Sequence, residues 1–188
     1  MDLKKFCVKF FAQGEANPDE AVLIEIFQEW IRLHKLDGVL LDVVDYRHVP
    51  DGQGIMLVSH EINYAMDYAG GYGLFAQLKL GDGENHVDRL VSLVRSVAAF
   101  GKLLESDPRV AGQITLDGSA FHYMSNDRLR APNTDDAFQA LQGDLEAAAA
   151  KLYPGEAVTI ERVENHAGDR LTAAVSVNSS VKIAALAA

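Results

Sequence analysis

Between Val39 and Leu80 the chain runs through three apolar, alternating stretches, "VLLDVVDY", "GIMLVSHEINYAMDY" and "GLFAQLKL", punctuated only by "VPDG" and "AGGYG". A two-residue period reads as strand, and connections this short cannot carry a parallel crossover. The segment is therefore expected to fold as an antiparallel meander. Pro50 and Gly52 give "VPDG" a type I turn signature, and the glycines of "AGGYG" suit backbone at positive φ.

Three helix patterns interrupt the strands. "NPDEAVLIEIFQEWIRLHKLDG" opens with Asn17 as cap, Pro18 at the first helical position, and Asp19 and Glu20 against the positive helix end. Val22, Leu23, Ile26, Phe27, Trp30 and Leu33 form its apolar stripe, and Gly38 helps to end it. In "HVDRLVSLVRSVAAFGKLLE", Val87, Leu90, Val91, Val94, Val97, Ala98 and Leu104 share one face before Asp107-Pro108. "TDDAFQALQGDLEAAAAKLY", capped by Asn133, aligns Phe138, Leu141, Leu145, Ala148 and Leu152 until Pro154-Gly155 stops it. The remaining strands are "LKKFCVKFFAQ", a hairpin in "GQITLDGSAFHYMSNDRL" turning at Asp117-Gly118, and the closing "EAVTIERV" and "RLTAAVSV".

The expected order is β-α-β-β-β-α-β-β-α-β-β. Runs of adjacent strands with interspersed helices indicate an α+β fold, a mainly antiparallel sheet with three helices laid on one face. No low-complexity linker divides the 188 residues, so residues 1–188 read as one domain, with a loose echo between halves at about 1–80 and 84–178.

Charge and cysteine content narrow the function classes. A net charge of −10, with no Lys/Arg cluster to offset it, repels phosphate backbones and anionic headgroups. Neither nucleic acid nor a membrane is expected as a partner. No window approaches a membrane-spanning length, and the first twenty residues lack a signal-peptide core, so the expected location is the cytoplasm. Cys7 is the only cysteine, which rules out an intrachain disulfide and any multi-cysteine metal site. In "KKFCVKFF" it reads as a buried strand position.

Residues 58–73, "VSHEINYAMDYAGGYG", concentrate the candidate chemistry. Read as one strand, Met56, Val58, His60, Ile62, Tyr64, Met66 and Tyr68 share a face, and His60 and Glu61 point apart. Read as a helix, the stretch is H-E-x-x-Y and lacks the second imidazole of a zinc protease motif. Folding about "VPDG" sets His60 opposite "LLDVVD", where either Asp42 or Asp45 shares its face. A carboxylate beside an imidazole fixes its tautomer and raises its pKa. His60 with Asp45 or Asp42, helped by Tyr64, is thus the candidate acid–base group. The alternative is a core histidine satisfied by a cross-strand hydrogen bond.

His48, with Tyr46 and Arg47, can line a pocket rim or simply occupy a loop. Asn126, Arg128 and Arg130 approach a helix N-terminus and suit an anion, although Asp135 and Asp136 already complement that helix end. The spacing of His48, His60 and His122 dictates no metal geometry, "AGGYG" lacks the Lys-Ser/Thr of a phosphate loop, and no serine sits in G-x-S-x-G. No metal or cofactor is expected.

Two functions stay open. The favoured one is non-catalytic: a small-ligand or protein-binding module, self-associating as a dimer through strand edges that must be covered. The other is an enzyme using the His60–aspartate pair in a pocket between sheet and helices.

Overall fold

The computed structural model describes residues 1–14, 16, 18–49, 52–81 and 83–187. The expected Asn17 cap and Pro50 turn lie outside these residues. In chain order the elements are β1 (Phe6–Phe11), α1 (Glu20–Leu33), β2 (Leu40–Asp45), β3 (Ile55–Ser59), β4 (Ile62–Asp67) and β5 (Gly73–Leu78). There follow α2 (His86–Glu105), β6 (Ala120–Ser125), α3 (Asp135–Leu152), β7 (Val158–Arg162), β8 (Thr172–Val177) and a 3-10 turn at Ile183–Ala187.

The first strand sorts its side chains onto two faces, and that sorting sets the architecture. Phe6, Val8 and Phe10 enter the main core, together with Leu23, Ile26, Phe27 and Trp30 of α1, the α2 stripe, and Leu141, Leu145, Ala148 and Leu152 of α3. All three helices therefore cover one face. The strands form one eight-stranded sheet in the order β2-β3-β4-β5-β1-β6-β8-β7, and every neighbouring pair is antiparallel. The α+β class, the antiparallel sheet and the helix layer all match the sequence reading.

Two strand boundaries differ from it. The stretch 54–68 is not one strand: it breaks at Ser59 and returns as a tight hairpin, with Val58 paired to Asn63. The reason is local. Ser59 Oγ donates to the Ile62 carbonyl at 2.6 Å and accepts the Ile62 N–H at 3.0 Å, closing the turn on itself. The expected hairpin at 112–129 keeps only its second arm, β6. Its first arm is held elsewhere, because Leu116 donates its N–H to the Glu105 carboxylate at 2.7 Å and pairs as an isolated bridge with Ala12.

Helix ends also differ. Asp19 caps α1 by accepting the Ala21 N–H at 2.9 Å, and α1 ends on His34 in the left-handed region at φ 49° rather than at Gly38. Leu33, expected in the apolar stripe of α1, is 43% exposed. Thr134 caps α3, because Asn133 donates its amide to Asn165 Oδ1 at 2.7 Å and to the His166 carbonyl at 3.1 Å. No helix among the described residues is long and apolar enough to cross a membrane.

The helix-free face carries a smaller apolar patch of Cys7, Met56, Ala65 and Phe75. Arg170 lies over it, its guanidinium 5.7 Å from the Phe75 ring centre and donating to Cys7 Sγ at 3.3 Å. Burial pushes the Cys7 thiol up to about 11, so it is a packing residue rather than a nucleophile. Beside this patch Lys9 and Asp67 form an ion pair with side chains 3% and 5% exposed.

β2 is one edge of the sheet and an apolar one, with Leu41 54% exposed. Tyr46 donates its N–H to the Gly54 carbonyl, so the alternation turns the Val43 N–H away from β3. The Asp42 carboxylate accepts that N–H at 2.8 Å, removing a donor from the open edge. Asp42→Val restores the donor and adds apolar area. This variant is expected to self-associate with rising concentration in size-exclusion light scattering, whereas Asp42→Asn, which keeps an acceptor, is not. Equal association of all three proteins would remove the guarding role.

Candidate functional site

The hairpin turn at Ser59–Ile62 is stitched to its neighbours. His60 donates its N–H to the Val39 carbonyl at 2.8 Å, and Lys79 and Leu80 donate theirs to the Glu61 carbonyl at 2.8 and 3.2 Å. The Lys79 ammonium donates to the Ser59 carbonyl. Because the turn reverses the chain, it also reverses the alternation. Met56 and Val58 lie on the helix-free face with Ala65, whereas Ile62, Tyr64 and Met66 face the helices.

His60 is therefore not a strand residue facing an aspartate. It sits in the turn, exposed. Asp42 caps Val43 as described, and Asp45 is bound by Arg47, whose Nε and backbone N–H lie 2.9 and 3.0 Å from Oδ1. That guanidinium brings the Asp45 carboxyl down to about 2. The structure brings neither aspartate to His60. Among the predicted acid–base residues only Tyr64 reaches a concave surface.

The predicted ligand residues divide between the two ends of the sheet. Tyr46 helps line a shallow hollow at the Asp45 end with Arg47, Glu20 and Tyr68, and His48 is exposed beside it. Asn126, Arg128 and Arg130 lie at the opposite end, just after β6. There Asn126 donates its N–H to the Lys5 carbonyl, Arg128 is exposed, and Arg130 reaches the Asp2 carbonyl at 3.4 Å. His122 faces Lys9 across β1 and packs edge-on to Phe11. No three histidine, cysteine, aspartate or glutamate side chains converge among the described residues.

Tyr64 opens onto a cleft of about 220 Å³ between the hairpin turn, the connection from α1 to β2, and α2. Leu36, Ile62, Leu78 and Leu93 supply apolar walls, while Asp37, Ser59, Glu61, Tyr64, Ser92 and Ser96 supply polar ones. The Tyr64 ring stacks on Phe100 at 4.7 Å, leaving the residue 4% exposed. Burial pushes its phenol well above the usual tyrosine range, and the Glu61 and Asp37 carboxylates push it further, so the hydroxyl is a donor at neutral pH. The Glu61 carboxylate lies close over Gly38, which has φ 86°: a Cβ there would stand 2.9 Å from Oε2.

Arg89 closes one side of the cleft with most of its donors already engaged. Its Nε and Nη1 donate to the Leu3 and Gly83 carbonyls at 3.3 and 3.0 Å, and its Nη2 binds the Asp2 carboxylate. Asp2 thus links Arg89 to Arg130. Among the described residues neither Asp37 nor Glu61 has an ion-pair partner. The cleft thus presents two carboxylates without ion-pair partners among the described residues, with the Lys79 ammonium at its edge on the Ser59 carbonyl.

One histidine–carboxylate pair does form, and the sequence reading did not single it out. His86, the first residue of α2, places Nδ1 2.9 Å from Asp144 Oδ2 and Nε2 3.0 Å from the Tyr123 hydroxyl, with the Phe6 ring edge-on at 5.1 Å. Asp144 also binds the Met1 amine at 3.1 Å. Burial holds His86 below the usual imidazole range. With His86 donating from Nδ1 and accepting the Tyr123 proton at Nε2, both nitrogens are occupied. This is a satisfied polar strut, with no nitrogen left for a substrate.

A pH dependence follows from its sign. The unfolded imidazole takes a proton below about pH 6.5, while His86, lowered by burial, and His122, lowered by burial and by Lys9, resist it. Stability is therefore expected to fall as pH drops through 6.5, by at most about 1.4 kcal/mol per pH unit for each histidine. Urea titrations at pH 7.5, 6.5 and 5.5 should show this loss, and His86→Asn should flatten it. An unchanged slope in the variant would place the titration elsewhere.

Comparison of the chain with known family models, with curated proteins and with solved structures finds no match.

Proposed function

We propose that this chain is a binding module for a compact polar small molecule, seated in the cleft between the Ser59–Ile62 turn and α2. The observation that carries the reading is Tyr64. Its ring is locked in the core against Phe100, and it lines the cleft together with Ser96, Glu61 and Asp37. Ligand sites combine apolar walls with a few fixed polar groups in this way. The size sets a limit. At ~30 Å³ per water, 220 Å³ holds about seven waters, which suits a molecule of similar heavy-atom count and not a nucleotide.

A non-catalytic role is favoured over acid–base chemistry. His86, which has a carboxylate partner, is saturated, and among the described residues His60 forms no pair with a carboxylate. Self-association is a second reading, supported by the two edge strands of the sheet, β2 and β7. Light scattering of the wild-type chain over a range of concentrations tests it.

Protein-observed NMR with a small-fragment library tests the main reading. Binders are expected to shift resonances of Ser59–Tyr64 and Ser92–Ala99 together. Hits scattered over the surface, or confined to the helix-free face, would defeat it.

A further inference from the structure

We propose that the cleft selects a small alkylammonium ion, with the Glu61 carboxylate receiving the ammonium and the apolar wall of Leu36, Ile62 and Leu93 receiving the alkyl group. This rests on the reading of the cleft as the ligand site, and it adds the ligand's charge and shape.

The argument is a census of charges around the cleft. From the connection between α1 and β2 comes Asp37, and from the hairpin turn Glu61. From α2 comes Arg89, whose charge is met by Asp2 and which also donates to the Leu3 and Gly83 carbonyls. At the exit of β5 the Lys79 ammonium donates to the Ser59 carbonyl. An anionic ligand would meet two carboxylates, and the two nearby cations already donate to Asp2 and to backbone carbonyls. A cation would meet carboxylates without ion-pair partners, in a partly enclosed site where such a hydrogen bond is stronger than in water.

Shape points the same way. Glu61 is half-buried, and its carboxylate lies against Gly38 on the cleft wall. Tyr64 and Ser96 add hydroxyl oxygens able to accept further ammonium protons. The cleft is also lined by Leu36, Ile62, Leu78 and Leu93, which a hydrated metal ion would leave uncovered and a short branched alkyl chain would cover.

Three probes of matched shape decide the matter: isoamylammonium chloride, isoamyl alcohol and 4-methylpentanoate, each titrated by NMR against the full chain. The ammonium is expected to shift the Glu61, Tyr64 and Ser96 resonances and to bind about tenfold or more tighter than the alcohol, with no shift from the carboxylate. Glu61→Gln, which keeps the side-chain shape, is expected to erase that advantage while leaving the unliganded spectrum otherwise intact. Rising salt should weaken the ammonium alone.

If ammonium and alcohol bind the cleft equally, or Glu61→Gln changes nothing, the charge assignment is overturned while the cleft survives as the site. If no probe perturbs the cleft, both fall. Should Glu61→Gln fail to fold, Asp37→Asn, on an exposed position, provides the second variant. It is expected to weaken the ammonium in the same direction, and an unchanged affinity would overturn the assignment.

Discussion

Replacing Asp67 with alanine is expected to destabilise the protein by about 3–5 kcal/mol, the usual cost of removing one member of a buried ion pair. Lys9 and Asp67 are 3% and 4% exposed, on the face of the sheet that has no helix layer. Burial already pulls the Lys9 ammonium below its usual range, and the Asp67 carboxylate is what opposes this. Without it the ammonium keeps only carbonyl partners, chiefly Ala69 O at 2.7 Å. Asp67 Oδ1 also accepts the Ala69 N–H at 3.2 Å, so the turn into β5 loosens as well. For a chain of this size, roughly 2–4 °C per kcal/mol, the melting temperature should drop by about 6–20 °C. The double change Lys9→Met, Asp67→Leu removes both charges and is expected to recover most of the loss. A double variant as unstable as Asp67→Ala would show that the ion pair is not the cause.

A comparable loss, about 3–5 kcal/mol, is expected for Phe100→Ala. Phe100 is fully buried in α2 and joins three elements. Its ring meets Phe27 at 5.3 Å and Trp30 at 5.0 Å, both edge-on from α1, and Tyr64 of β4 face-on at 4.7 Å. Alanine leaves a cavity where α1, α2 and the sheet converge, and it also removes the wall that holds Tyr64 at the cleft. Phe100→Leu retains most of the volume and should cost far less. Denaturant unfolding at constant m-value checks the free energies. A loss below about 1 kcal/mol for alanine would mean that the site collapses without strain and that the cluster is not a joint.

The sequence made the layers legible and the corners much less so. Apolar stripes in α1, α2 and α3, together with short turns between strand patterns, suffice to place three helices on one side of an antiparallel sheet. Burial of Leu23, Phe27, Leu90, Val94, Leu141 and Leu145 follows from spacing alone. What spacing cannot show is where an alternating run folds back. The stretch from Met56 to Tyr68 looks continuous, because the residues at its break, Ser59, His60 and Glu61, contain no glycine or proline. The turn is made by the Ser59 side chain instead. That one break moved Tyr64 to the opposite face from Met56 and took His60 away from the aspartates.

The site was half visible for the same reason. Alternation singles out Tyr64, but it sets Glu61 on the other face from His60 and Tyr64 and carries no sign of Ser96. The available signal was Ser92 and Ser96, four apart on α2 and beside its apolar stripe, which marks a small polar row along an otherwise packed helix. His86 and Asp144 are 58 positions apart and meet only through packing of α2 against α3, which no local pattern records.

Plugging the cleft gives the most direct test of its role. Ser96→Leu fills the space before Tyr64 from the α2 side without disturbing the sheet. Fragments that shift Glu61 and Tyr64 resonances in the wild-type protein are expected to lose at least about tenfold in affinity for the variant, whose unliganded fold is retained. Binding of the same fragments to Ser96→Leu with undiminished affinity would contradict the account.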